Sequence, residues 1–392
     1  MVEVLNSTTR RWLKAYALEG RRPRRVMDER IPLARPSWTE GMRNVAIATL
    51  DSGQWVKGPH GRAFAQEFAE YCHVSYAAPC NSGSGALIAA LRLLDIGIGD
   101  EVIVPSLTFI ATATSVSMVG ATPIFADVDS NYWCIDVEDV RKRITEKTKA
   151  VIGVHLFGQT YDPALIELCK KNGISLIEDA AQAHGACVLI NGERRIAGSL
   201  GDIACFSFFP SKNMAVGGEG GMITTNDETI GGRMKSIINH GRNGALQSQE
   251  VGTNMRMSEV FAAIGRKQLE HLDQWLQIRR YAAEQYAAAI GNNPLISAPT
   301  SFPDSEHGWH QYCVKVEDSE NFIEYMSQKN IDARVFYSTP CHKHPVYATH
   351  PQYNETLSVT ESICTQIVAV PIHHGLTNEE RARVASALKN YA

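Results

Sequence analysis

Between about residues 60 and 240 the chain alternates short apolar runs with longer amphipathic stretches. The apolar runs at 101–104, 123–126, 150–155, 174–178, 203–207 and 222–225 have the length and bulk of buried strands. Helical spacing is found at 85–94, 108–119, 136–144 and 163–171. Strand, helix, strand at this interval predicts a mostly parallel sheet with helices on both faces. A longer helical pattern over 258–290 carries Ile264, Leu269, Leu272, Trp275 and Leu276 on one face, with Ser258 as N-cap, and ends at Gly291-Asn292-Asn293-Pro294. A run at 309–316, a helix near 320–329 and a last helix from Asn378 predict a smaller C-terminal α/β domain. The expected division is a basic arm (1–30), a large domain (31–257), and an interdomain helix with the small domain (258–392).

At 392 residues, 44% of them hydrophobic, the chain is long enough for two or three domains and is no disordered or fibrous sequence. Residues 102–126 hold no charged side chain, a length that reaches membrane-span dimensions. Pro105, Pro123, Gly120 and seven Ser or Thr residues break that stretch, so it reads as strand, covering helix and strand, with no membrane partner. Lys and Arg total 38 against 42 Asp and Glu, which gives no general pull toward nucleic acid or anionic lipid. The exception is local: seven basic residues and one acid lie between Arg10 and Arg25. That arm is either a solvated segment or a patch for a partner or phosphorylated ligand. Nine scattered cysteines without a CxxC pair predict reduced, buried thiols and a cytoplasmic setting. The histidines at 342, 344, 373 and 374 lack Cys or carboxylate at ligand spacing, so no metal site is expected.

Ligands of an open parallel sheet gather at the carboxyl ends of its strands, and four features of this chain fall there. Asn81-Ser82-Gly83-Ser84-Gly85 opens an apolar helix; free N–H groups and hydroxyls at such a start bind anions, although an ordinary turn and cap fits the same residues. The run 174–178 ends on Glu178 and Asp179, and a carboxylate at that depth needs a cation or donors, a helix cap being its plainer use. Lys212 follows the aromatic run Phe206-Ser207-Phe208-Phe209 and precedes the glycine-rich 217–221; a lysine emerging from a core has a depressed pKa and forms imines. Phe109, after Pro105-Ser106-Leu107-Thr108, either packs in the core or stacks on a planar ligand. An anion cradle, a stacking ring, an acid and an amine together are what pyridoxal 5′-phosphate requires: phosphate on the helix start, ring on Phe109, ring nitrogen on Asp179, aldehyde on Lys212.

These motifs, in this order, resemble the DegT/DnrJ/EryC1/StrS family of fold-type-I, pyridoxal-phosphate-dependent sugar aminotransferases. Ser52-Gly53-Gln54-Trp55 with Gly58-Pro59 resembles the family's opening, and Val251-Gly252-Thr253-Asn254-Met255-Arg256-Met257 resembles its "GYNYRM". The resemblance runs from Ser52 to the C-terminus. It implies that Gly83, Ser84 and Ser207 hold the phosphate, that Phe109 stacks, and that Asp179 pairs with the ring nitrogen. Gln182 would meet the ring hydroxyl, and Lys212 would carry the Schiff base and move the proton. Asn254 would reach the phosphate site of a second subunit in a homodimer with shared active sites. Tyr337, His342 and His344 would approach the substrate.

Because Lys212 is present where dehydratase relatives carry histidine, the resemblance implies transamination. Glutamate or glutamine would donate the amino group to a keto sugar, most simply one on a nucleotide diphosphate. Two alternatives remain at this stage. One is amination of a keto-cyclitol in an antibiotic-type pathway. The other is a cofactor-binding regulator without turnover whose basic arm meets nucleic acid, against which the intact lysine, aspartate and glycine loop argue.

Overall fold

The computed structural model describes residues 30–244 and 247–392, so the basic stretch 10–25 lies outside the described residues. The strands run in chain order β1 (Tyr76–Cys80), β2 (Glu101–Pro105), β3 (Thr122–Ala126), β4 (Thr148–Val154), β5 (Ser175–Asp179), β6 (Cys187–Ile190), β7 (Glu193–Ile196), β8 (Ile203–Ser207), β9 (Gly221–Thr225), β10 (Ile296–Ser297), β11 (Ser305–Glu306), β12 (Tyr312–Val316), β13 (Arg334–Val335) and β14 (Ile367–Val370). Seven form the central sheet in the order β1-β9-β8-β5-β4-β2-β3. Strands β3, β2, β4, β5 and β8 are parallel neighbours, whereas β9 runs antiparallel to both β8 and β1. The reason is local. Parallel neighbours need a crossover, usually a helix, and the 208–220 connection between β8 and β9 contains none.

The six expected strands all form, within one or two residues of their predicted ends. The uncharged stretch 102–126 folds as β2, the helix Ala111–Met118 and β3. Among the described residues no helix is long and apolar enough to cross a membrane. The expected helix over 258–290 is two helices, Glu259–Leu269 and Leu272–Ile290, with Ser258 accepting from Phe261 N at 3.3 Å. They part because they serve different bodies. The first packs on helices Glu40–Asp51 and Pro59–Cys72, and the second on the terminal helix Asn378–Lys389. Strand β1 escaped the periodicity because Pro79 and two alanines dilute it; proline is tolerated there since β1 is the sheet's edge strand.

A second sheet, β10-β12-β14-β13, is antiparallel throughout and carries the C-terminal core of Tyr286, Tyr312, Phe322, Val368 and Leu388. The two bodies exchange segments rather than meeting at a single boundary. Ile31 is fully buried in the C-terminal core and bridges Ile331. In the other direction, β11 pairs with β6, while Cys341, Tyr347 and Tyr353 pack into the core of the large sheet. The segment from Ile31 to the helix at Glu40 is therefore a strap between the two bodies. Pro32 O accepts from His373 Nε2 at 3.1 Å, and Arg35 forms a two-pronged pair with Glu380.

Candidate active site

The carboxyl ends of β5 and β8 open into a cavity of about 510 Å³, whose wall also includes Leu33 and Ala34 of the strap and Val370 of β14. Its floor is the start of helix Gly83–Leu93. Ser82 caps that helix by accepting from Gly85 N at 3.0 Å, which leaves the earliest N–H groups without intrahelical partners. Gly83 faces Ser207: a Cβ on Gly83 would stand 2.7 Å from the Ser207 Cβ. Only a hydrogen there leaves open the small cradle bounded by the helix start, Ser84 and Ser207, all of which line the cavity.

Asp179 ends β5 and is 6% exposed. Its Oδ2 accepts from Thr112 Oγ1 at 2.8 Å and its Oδ1 from Ala181 N at 3.2 Å. Burial pushes its pKa up, against the pull of those donors and of Lys212. Neighbouring Glu178 faces the other side of the sheet, where it is fully buried. It accepts from Gly198 N (2.7 Å), Leu200 N (2.6 Å), Gly201 N (2.7 Å) and His155 Nε2 (2.8 Å). The two adjacent carboxylates thus divide the work: Glu178 anchors the 198–201 turn, and Asp179 faces the cavity.

Lys212 sits in the 208–220 connection, its backbone N donating to Phe209 O at 2.8 Å. Burial lowers its amine to about 8, with the Asp179 carboxylate pulling the other way. Phe109 is 56% exposed at the cavity wall, so the core-packing alternative does not apply to it. Gln182 is buried; its Oε1 accepts from Phe157 N at 2.6 Å and its Nε2 donates to Tyr337 Oη at 2.9 Å. Asp179 in its buried niche, the Gly83 cradle and the Lys212 amine thus share one cavity, and the residues present fit a phosphorylated pyridine aldehyde.

Of the residues singled out from sequence, Gly83, Ser84, Phe109, Asp179, Gln182, Ser207, Lys212 and Tyr337 line this cavity. Asn254 does not; it is exposed on the far end of the 239–254 segment, where it bridges Asn239. His342 and His344 are not on its wall either. His342 is fully buried, with Nδ1 2.6 Å from Ser106 Oγ and Nε2 3.1 Å from Glu361 Oε1, so both ring nitrogens are spent inside the fold. His344 is the residue before helix Pro345–Ala348, outside the cavity wall. Sequence reasoning missed Leu33, Ala34, His310 and Gln311, which come from the strap and from the residues leading into β12. It also missed Thr112, whose position one helical turn after Thr108 was the available signal. Among the described residues no group of three or more His, Cys, Asp or Glu is placed to hold a metal ion.

The profile of the DegT/DnrJ/EryC1/StrS aminotransferase family matches residues 37–389. The chain belongs to this family. As a DegT/DnrJ/EryC1/StrS aminotransferase it is 38% identical to the dTDP-3-amino-3,4,6-trideoxy-alpha-D-glucose transaminase of Streptomyces venezuelae, over 89% of this chain and 92% of that protein. It is 40% identical to the dTDP-3-amino-3,6-dideoxy-alpha-D-galactopyranose transaminase of Aneurinibacillus thermoaerophilus, over 87% and 93% respectively. Among solved structures, S. venezuelae DesV in complex with a ketimine intermediate superposes with a TM-score of 0.85 at 37% identity, covering 89% of this chain and 93% of that one. The fold is that of fold-type-I aminotransferases, and the protein is an aminotransferase.

Proposed function

We propose that this aminotransferase uses pyridoxal 5′-phosphate to move an amino group from glutamate or glutamine to the C3 ketone of a nucleoside-diphosphate-linked sugar, for amino-sugar biosynthesis. The observation that carries the reading is the shared cavity of Lys212 and Asp179, with the Gly83 cradle at its floor. The names of the two transaminase relatives, both of 3-amino sugars on dTDP, support the acceptor class and the carbon. When bound, the cofactor supplies an aldehyde for amine capture and a ring that accepts the electron pair of a breaking C–H bond.

The chain's own residues do the rest. Gly83, Ser84 and Ser207 hold the phosphate with backbone N–H and hydroxyl donors. Phe109 covers one face of the ring. Asp179, pressed by burial and relieved by a cationic partner, pairs with the ring nitrogen and keeps it protonated. Gln182 donates to the ring hydroxyl. Lys212 would hold the cofactor's aldehyde, a role that suits an amine losing its proton near pH 8. With the cofactor bound, Lys212 Nζ would be the group placed to take a proton from the donor's α-carbon and to give it back. It is the one lysine on the wall of the described cavity. Asn254, exposed and outside its own cavity, serves the phosphate site of a second copy, and the working unit is a homodimer.

The test has two arms. Borohydride treatment of the cofactor-loaded protein should fix the label on the peptide carrying Lys212, and Lys212→Ala protein should show no such label. Protein loaded with pyridoxamine phosphate should then regain the aldehyde form with a 3-keto dTDP-sugar faster than with its 4-keto isomer. No label at Lys212 would overturn the cofactor assignment; preference for the 4-keto isomer would overturn the carbon; response to keto-cyclitols alone would overturn the sugar-nucleotide reading.

A further inference from the structure

Gln182 has one carbonyl and two N–H groups. Its Oε1 is taken by Phe157 N at 2.6 Å, and one N–H is given to Tyr337 Oη at 2.9 Å. One N–H remains for the cavity. Phe157 lies in the left-handed region (φ 57°), a conformation that a bulky residue keeps only when its surroundings hold it, and the Gln182 carbonyl is one such hold. Turning the amide over would set its NH₂ against the Phe157 N–H and strand a buried donor. The carbonyl end of Gln182 is therefore fixed by its own domain, while the direction of its free N–H is fixed by Tyr337.

Tyr337 reaches this point from the other body, two residues beyond β13, which pairs with β14 of the small sheet. The same ring stands 6.1 Å from the Phe109 ring, tilted by 43°. One side chain thus contacts both the residue assigned to the ring's face and the residue assigned to its hydroxyl. We infer that Tyr337 is a positioning residue that aims the Gln182 N–H and braces Phe109, so that the small domain sets the ionisation of the bound cofactor. The inference rests on the function proposed above and goes beyond it, since Tyr337 there carries no role.

A donor aimed at the ring oxygen favours its anionic form, most of all when the neighbouring imine nitrogen has lost its proton. Misaiming that donor therefore raises the pH at which the bound cofactor changes colour. The titratable groups that face this corner are Lys212, Asp179, Glu219 and His310 on the cavity wall, with Cys313 and Cys341 behind the Tyr337 ring. All of them remain in every variant below.

The experiment is a spectroscopic pH titration of the cofactor-loaded protein and of Tyr337→Phe, Gln182→Ala and the double variant. Tyr337→Phe should move the midpoint upward by about half a pH unit, the scale of one modest hydrogen bond. Gln182→Ala should move it in the same direction by at least as much, and the double variant no further than Gln182→Ala alone. An unchanged midpoint in Tyr337→Phe, or a double shift equal to the sum of the two, would overturn the inference while leaving the proposed function standing. A native protein that takes up no coloured cofactor would overturn both.

Discussion

Glu178→Gln is the sharpest test of how the sheet holds its catalytic edge. The native carboxylate receives four donors, two on each oxygen: Leu200 N and Gly201 N on Oε1, Gly198 N and His155 Nε2 on Oε2. An amide keeps one oxygen and presents NH₂ at the other, so two donors lose their acceptor and face another donor. His155 cannot adapt by moving its ring proton, because its Nδ1 already accepts from Tyr161 N at 3.2 Å. With each of the two stranded buried donors costing about 1–3 kcal/mol, a loss of about 4 kcal/mol is expected. At about 2.1 cal/mol/K per residue, 392 residues unfolding together carry about 0.8 kcal/mol/K, so the melting temperature should fall by about 5 °C. The assay is calorimetry of both proteins at equal cofactor loading, pH and scan rate. A variant melting within about 1 °C of the native protein would refute the claim that this carboxylate holds the 198–201 turn.

Two further outcomes follow from the burial of Lys212 and His342. In the cofactor-free protein the Lys212 amine is lowered to about 8 from 10.5. Below pH 8 both folded and unfolded states hold its proton and the full burial cost applies; between 8 and 10.5 the unfolded state holds the proton and the native state does not, so stability climbs with pH across that window. Denaturant titrations should show this climb and its absence in Lys212→Met; equal slopes in the two proteins would contradict it. His342→Leu, which strands Ser106 and frees Glu361, should lose roughly 1–3 kcal/mol of stability and leave the KM for the sugar acceptor within about twofold. A raised KM at unchanged stability would restore His342 to the substrate.

What was legible in the sequence is what is local in the chain. Asp179 ends its strand, Lys212 lies five residues past Ser207, and Gly83 opens its own helix, so each could be placed at or just beyond a strand or helix end from neighbouring residues alone. The wall made by Leu33, Ala34, His310 and Gln311 could not, because no run of the sequence records that the strap and the small sheet fold back over the large one. The two histidines at 342 and 344 illustrate the opposite case, residues named from the sequence that lie outside the cavity wall. The resemblance pointed both toward the substrate, while the partner that orients His342 is Ser106, more than two hundred residues earlier. The antiparallel β9 was hidden for a similar reason, since an apolar run carries no sign of its direction.

Lys212 is delivered by the β8–β9 connection, between two strands that pair with each other, whereas the opposite wall is hung from the strap and the second sheet. The half of the cavity that carries the lysine and the wall opposite it therefore belong to different folding neighbourhoods. Residues 33, 34 and 311 lie on the strap and just before β12, apart from the elements that place Lys212, Asp179 and Gly83, so the two sides of the cavity can vary separately in sequence.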